Sequence, residues 1–352
     1  MNALRAKQKY GLLTALLILV AMFFIPVPEG LTEAGIRTLG CTLALLVCLS
    51  TGALPLGLTS LIFMMLYYVL GAATSLPTAV SGMATPPVFF ILASFGMSAA
   101  VSESPISRRI LYFMLKVFGK SLKSTLLGLM FATAVVSAFI SNVPVTAMFV
   151  TIGLAFLKLY KDEESRKQTG RTMMIAIPVA AMIGGIMTPV GSSPNLVAIS
   201  TLKSMADYDI SFVEWAAYGV PIALILIPLA WLIITRVFPP VELERERFRK
   251  FVEDSRVTEK VDRQEAKVIC IMGTMIVLWI LSSWIPAINL YVVAVLGVAV
   301  MFLPGVQVLD WENFKKNTNF QMTDMPKATA PILLALALLC TLWNPLLCGW
   351  MA

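Results

Sequence analysis

Apolar runs recur along the chain near residues 11–27, 38–53, 55–73, 86–104, 172–204, 215–236, 268–284, 287–303 and 329–350, with short polar stretches between them. A helix of about 20 apolar residues spans a bilayer, so this pattern predicts an all-α, polytopic membrane protein. The segment 125–157 departs from the pattern. Its flanks are both basic, with Arg108, Arg109, Lys116, Lys120 and Lys123 before it and Lys158, Lys161, Arg166, Lys167 and Arg171 after it. Basic loops collect on one side of a membrane, so the two flanks belong to the same side. The segment is too long for one spanning helix of about 20 residues and too short for two. A re-entrant helical hairpin over 125–157 resolves the conflict, with its break at Ser141-Asn142-Val143-Pro144. Pro144 lacks a backbone donor and disfavours helix at Val143, while Ser141 and Asn142 are good helix-capping residues.

The run 172–204 carries a second interruption, "GGIMTPVGSSPNLVAI". Thr188, Pro189, Gly191, Ser192, Ser193, Pro194 and Asn195 follow closely on Gly184 and Gly185. Two prolines, a permissive glycine and four polar side chains do not continue one helix, so a half-helix, an unwound loop and another half-helix are expected. Irregular backbone at membrane depth persists only where protein or a wet cavity satisfies it. Taken alone, the first break is equally well explained by Ser and Asn gluing helices together around a proline kink. With a second break in the chain, a midplane binding site built from helix ends becomes the better account.

Composition agrees with the membrane class. The chain is 58% hydrophobic and 13% charged, and its net charge of +7 sits in short loops without interleaved aromatics, which argues against nucleic acid as a partner and for a lipid bilayer. Cys41, Cys48, Cys270, Cys340 and Cys348 all lie in apolar runs and read as small hydrophobes. The basic N-terminus and apolar run after it resemble a signal peptide without a small-residue cleavage site, so 11–27 is expected to be a first transmembrane helix. Arg5, Lys7 and Lys9 then place the N-terminus in the cytoplasm of an inner (plasma) membrane protein. The expected organisation is an N-terminal helix (1–34), a first repeat (35–238) holding the hairpin and the broken helix, a charged cytoplasmic linker (239–266), and a partial second repeat (267–352).

There is no histidine, and neither interrupted segment has an ionisable side chain in its core. A proton relay, an intramembrane protease or a transferase needs such groups, so enzyme chemistry is not expected. The available ligands are hydroxyls, amides and carbonyls, neutral hard oxygens suited to an alkali cation. Ser137 and Ser141 are four apart and so share a helix face, and with Asn142 they offer side-chain oxygens to Na⁺. Helix-end donors would hold an accompanying anion. No other metal or cofactor is indicated. Trp215, Trp231, Trp279 and Trp284 are read as interfacial or packing aromatics, and Glu103 as an interfacial acid.

On these motifs the chain resembles the divalent anion:sodium symporter family, carriers of dicarboxylates, citrate or sulfate. The resemblance covers roughly residues 35–317 and rests most specifically on Gly184 to Asn195. It implies an inverted-repeat transporter fold, a homodimer for a complete protein, Na⁺ as coupling ion and a small divalent anion as substrate. By that precedent Ser137, Ser141, Asn142 and the Gly191 carbonyl form the sodium site. The tip, Ser141, Asn142 and Val143, touches substrate, and Thr188, Pro189, Ser192, Pro194 and Asn195 support the broken-helix loop. Val143 stands where the family has threonine, which removes one hydroxyl from the anion side. Residues 46–76 are loosely echoed near 276–306, as expected of a second, inverted repeat beginning. No second Ser-Asn hairpin follows it, which predicts half of the family's substrate site in this chain, as after a reading-frame change near Phe320. A sodium-independent exchanger of the same fold and a non-transporting fragment are the alternatives to a symporter.

Overall fold

The computed structural model describes residues 2–28, 30–118, 121–243, 253, 261–310 and 314. The expected last span at 329–350, most of the charged linker, and Cys340 and Cys348 lie outside the described residues. Among the described residues the regular structure is all helical, without strands: α1 (Asn2–Ala21), α2 (Glu33–Thr51), α3 (Leu56–Val69), α4 (Leu76–Val80), α5 (Pro86–Glu103), α6 (Ile106–Phe118), α7 (Leu122–Ser137), α8 (Asn142–Leu157), α9 (Glu163–Ile186), α10 (Ser193–Ala206), α11 (Phe212–Val237), α12 (Arg263–Leu281) and α13 (Leu290–Phe302). Short 3₁₀ turns occur at Ser81–Ala84 and Pro189–Gly191. Among the described residues, α2, α5, α9, α11 and α12 are long and apolar enough to cross a membrane.

The helix starts follow local chemistry. Thr32, Ser121, Asp162, Ser211 and Asp262 each accept a backbone N–H from the first turn of the helix they precede, satisfying a donor that has no partner within the helix. Asp162 is paired in this way with the N–H of Ser165, which holds its carboxyl below the usual carboxylate range.

Two compact units form. The first comprises residues 1–88 and 197–208 of the described chain. Here α1 and α2 pack closely at glycine: Gly40 faces the side chain of Met22, and Gly11 faces that of Thr51, both nearer than a Cβ would allow. A buried bond of 2.5 Å joins Thr42 to the hydroxyl of Tyr67. Over the expected span at 11–27, α1 starts earlier, in the basic N-terminal stretch, and stops at Ala21, with Pro26 and Pro28 just beyond.

The second unit comprises residues 89–196 and 209–320. Its core is continuous from α5 through α13, with Trp279 fully buried between Phe90 and Phe212, each ring centroid 6.3 Å away. The indole of Trp279 donates to the carbonyl of Leu290, so this tryptophan is a packing residue with a satisfied polar end. The basic stretch after α5, read from its charges as a loop, is mostly the helix α6. Ser107, Leu111 and Leu115 recur every four residues and are buried, while Arg108 and Lys116 stay exposed. Arg109, on the edge of that helix, makes a two-point ion pair with Glu265 of α12, Nε to Oε1 at 2.5 Å and Nη2 to Oε2 at 2.8 Å. The Glu265 side chain is 1% exposed and that of Arg109 28%. Among the described residues the only buried side-chain polar atom without a hydrogen bond is Ser107 Oγ, on the same helix.

Candidate functional site

Both interruptions lie in the second unit. The first separates α7, which ends at Ser137, from α8, which starts at Asn142. Ser137 and Ser141 therefore do not share a helix face, contrary to the expectation, because the helix that was to carry both stops between them. Val143 is helical despite the proline after it. Pro144 falls in the first turn of α8, where the N–H it lacks would have had no partner within the helix. Ser141 occupies the N-cap position, but its side chain makes no capping bond. The first backbone N–H groups of α8 thus receive no bond from this hydroxyl.

The second interruption runs from Met187 to Ser192, between α9 and α10. The last carbonyls of α9 and that of Thr188 in the loop find donors, as buried backbone requires. Met187 N–H returns to Gly184 O at 3.0 Å. The amide nitrogen of the buried Asn195 donates both to Gly185 O at 2.7 Å and to Thr188 O at 2.9 Å. The indole of Trp215 donates to Ile186 O at 2.9 Å, and Gly219 gives that carbonyl room. Thr188 caps the 3₁₀ turn by accepting from Gly191 N–H at 3.2 Å, and its hydroxyl donates to Ala138 O at the end of α7. One threonine thus ties the two interruptions together.

Glycines bring the interrupted helices close enough to share atoms. A Cβ at Gly184 would lie 2.3 Å from Ala134 O and 2.4 Å from Ala134 Cα, so α7 and α9 touch backbone to backbone there. A Cβ at Gly191 would stand within 2.8–2.9 Å of three carbonyl oxygens, those of Gly185, Ala138 and Ser137. At this crossing the Ser137 hydroxyl donates to Ala181 O at 2.8 Å.

The side chain of Asn142 completes the cluster. One end of its amide lies 2.8 Å from Ser137 Oγ, 3.1 Å from Ala181 O and 3.3 Å from Gly191 O; the other end lies 3.4 Å from Ser192 Oγ. The three inner neighbours are all oxygens, and the single hydroxyl proton among them, that of Ser137, has two acceptors at 2.8 Å, Ala181 O and the amide oxygen of Asn142 when that oxygen points in. The inner set can therefore be completed in two ways. Either the amide nitrogen points in and donates to the oxygens, or the amide oxygen points in and a cation balances the surplus of lone pairs. No ionisable side chain contributes to the cluster.

Of the residues expected at a site, the structure brings together Ser137, Asn142, Gly191 and Ser192, with Thr188 and Asn195 holding the loop. Pro189 is buried at the start of the 3₁₀ turn. Ser141 joins by no side-chain hydrogen bond, and Val143 and Pro194 have no polar side-chain atom to bring. The carbonyls of Ala181, Ala138 and Gly185 are additional participants that the sequence reading did not identify. The Gly184-Gly185 pair was the available signal, since adjacent glycines in an apolar helix mark close backbone approach.

Comparison with known proteins is consistent with this geometry. Residues 6–323 match the family described as the sodium:sulfate symporter transmembrane region. The sodium-dependent dicarboxylate transporter SdcS of Staphylococcus aureus is 29% identical over 240 residues, covering 66% of this chain and 46% of the relative. Its counterpart in Staphylococcus saprophyticus is 28% identical over 234 residues, 64% of this chain and 45% of the relative. The chain spans about half the length of these curated relatives. With a match of that extent lying across both interrupted helix pairs, the chain belongs to the sodium:sulfate symporter family.

Proposed function

We propose that this chain serves in sodium-coupled transport of a small divalent anion, a dicarboxylate or sulfate. The observation that carries the reading is the inner end of the Asn142 amide, which faces three oxygens and no compensating charge. Ser137 Oγ, Ala181 O, Gly191 O and Asn142 Oδ1 form a set of neutral hard oxygens, the chemistry that an alkali cation accepts. Such a set, with few donors and no carboxylate, suits a singly charged ion better than Ca²⁺ or Mg²⁺, whose sites draw on carboxylates. A bound sodium ion would supply the one positive charge next to which a divalent anion is held. The uncapped start of α8, together with Ser192 and Ser193 at the start of α10, offers donors to that anion. The sodium-dependent names of the Staphylococcus relatives support the coupling ion, and the family description together with those names supports the anion class.

The hairpin is read as re-entrant because α7 and α8 are 16 residues each, shorter than the roughly 20 needed to cross, and because their outer flanks are both basic. The same charge rule puts those flanks and the N-terminus in the cytoplasm. The test is Ser137→Ala in the full chain, purified in detergent and unfolded thermally with sodium or with choline. Sodium is expected to raise the wild-type melting temperature. The variant should melt close to wild type in choline and respond to sodium at least about tenfold more weakly in concentration, the effect of losing one oxygen ligand worth about 1.4 kcal/mol. Identical melting of the wild type in sodium and choline would remove the sodium reading.

A further inference from the structure

We infer that the side-chain amide of Asn142 is a two-position switch. It turns its nitrogen toward the inner oxygens when no cation is held and toward Ser192 when one is, so that cation binding delivers a hydrogen-bond donor to the anion side. The inference rests on the sodium reading above and goes beyond it. Its basis is the asymmetry of the two ends of one planar group. The inner end meets Ser137 Oγ, Ala181 O and Gly191 O at 2.8, 3.1 and 3.3 Å, and the outer end meets Ser192 Oγ at 3.4 Å. An amide presents an acceptor oxygen at one end and a donor nitrogen at the other, so filling one end's requirement fixes what the other end offers.

Without a cation, nitrogen inward gives three acceptors a donor, and the oxygen faces Ser192, which can donate to it. That arrangement leaves the outer end as an acceptor, unfavourable next to an approaching dianion. With a cation held among the inner oxygens, nitrogen inward would aim N–H groups at a positive charge, so the amide turns its oxygen in. The outer end then carries the N–H groups beside Ser192 and Ser193 at the start of α10. The anion gains a donor only after the cation is in place, and by linkage the anion favours the cation-bound orientation to the same extent.

The neighbouring helix makes room for the amide in either orientation. A Cβ at position 185 would lie 2.2 Å from the inner atom of the amide and 2.9 Å from the outer one, so only a glycine there lets the group occupy this place. The two ends also differ in access to water. Ser137, Gly191 and Ala181 are buried, whereas Asn142, Ser192 and Ser193 are partly exposed and Pro194 is exposed.

The difference in access gives a readout independent of transport. In the full chain with ¹⁵N-asparagine, purified in detergent, the Asn142 side-chain NH₂ resonance is followed in choline and then in sodium. It is assigned with Asn142→Ser, or, if that variant does not fold, through cross-relaxation to Ser137 and Gly191. The expected result is slow hydrogen exchange of this NH₂ in choline and exchange at least about tenfold faster in sodium, with sulfate or succinate then slowing it again. Tenfold corresponds to about 1.4 kcal/mol of preference between the orientations. If sodium shifts the resonances of Ser137, Gly191 and Asn142 but leaves the exchange equally slow or slower, Asn142 is a fixed ligand and the switch is overturned while the sodium site stands. If sodium shifts none of them, the sodium reading itself fails, and the switch with it.

Discussion

The second unit buries polar chemistry in two places by opposite means. Where α6 meets α12, Arg109 and Glu265 face each other through two hydrogen bonds, and opposite formal charges cancel. Where α7 and α8 meet α9 and α10, the groups are neutral, and oxygens at the inner end of Asn142 outnumber the protons available to them. The first arrangement is complete as it stands. The second is balanced only by an amide orientation or by an added positive charge. A closed pair of charges reads as a structural fastening, and an open set of acceptors reads as a place for a cation.

The largest effect is expected at the fastening. Arg109→Ala leaves the nearly inaccessible Glu265 carboxylate without the guanidinium, and should cost about 3–5 kcal/mol, the usual loss when one partner of a buried pair is removed. Thermal unfolding of the purified variant would show a large fall in melting temperature that is the same in sodium and in choline. A loss that sodium reverses would break the distinction between the two regions. Next comes Asn195→Leu, which strips the side-chain donor from the carbonyl of Gly185, while Thr188 O keeps the Gly191 N–H at 3.3 Å, and should cost about 1–3 kcal/mol for the one unsatisfied group. Because Gly185 and Gly191 flank the cluster, this variant should also weaken the sodium response, as measured by melting temperature against sodium concentration. A destabilised variant with an unchanged sodium response would separate the loop from the site.

The smallest effect is expected outside both regions, at the exposed Asp162 cap of α9. Its carboxyl titrates below its unfolded value, so its contribution to stability is present above the unfolded pKa and is lost as pH falls through the lower folded one. Asparagine also caps well, so Asp162→Asn should leave the melting temperature at neutral pH nearly unchanged and flatten its decline below about pH 4. A steep loss at neutral pH would mean that this cap does more than satisfy one donor.

The interruptions could be located in the sequence because proline and glycine leave few backbone options: Pro189 lies in the second break, and Pro144 and Pro194 lie in the first turns of the helices that follow the breaks, whereas Pro178, Pro221 and Pro228 sit inside continuous helices. How those stops are satisfied was not readable. Trp215 reaches Ile186 from another helix, Thr188 reaches Ala138, and Arg109 reaches Glu265 across 156 residues of chain, and no local pattern encodes such partners. The pairing of Ser137 with Ser141 failed for a specific reason, since a four-residue spacing means a common face only if the helix continues. The helix α6 was missed because its basic residues look like those of a loop. Its signal was the recurrence of Ser107, Leu111 and Leu115, a buried stripe on a chain too short to span. Backbone ligands such as Ala181 O leave almost no trace in sequence beyond the small residues that let chains approach.

The hydroxyl of Thr188 has a mechanical implication. It is bonded at once to the last turn of one interrupted helix pair and to the loop of the other, so neither can shift alone while those bonds persist. On the proposed reading, a cation leaving its oxygens would then be felt along both pairs together, and any movement that its loss sets off would have to take the two as a single piece of machinery.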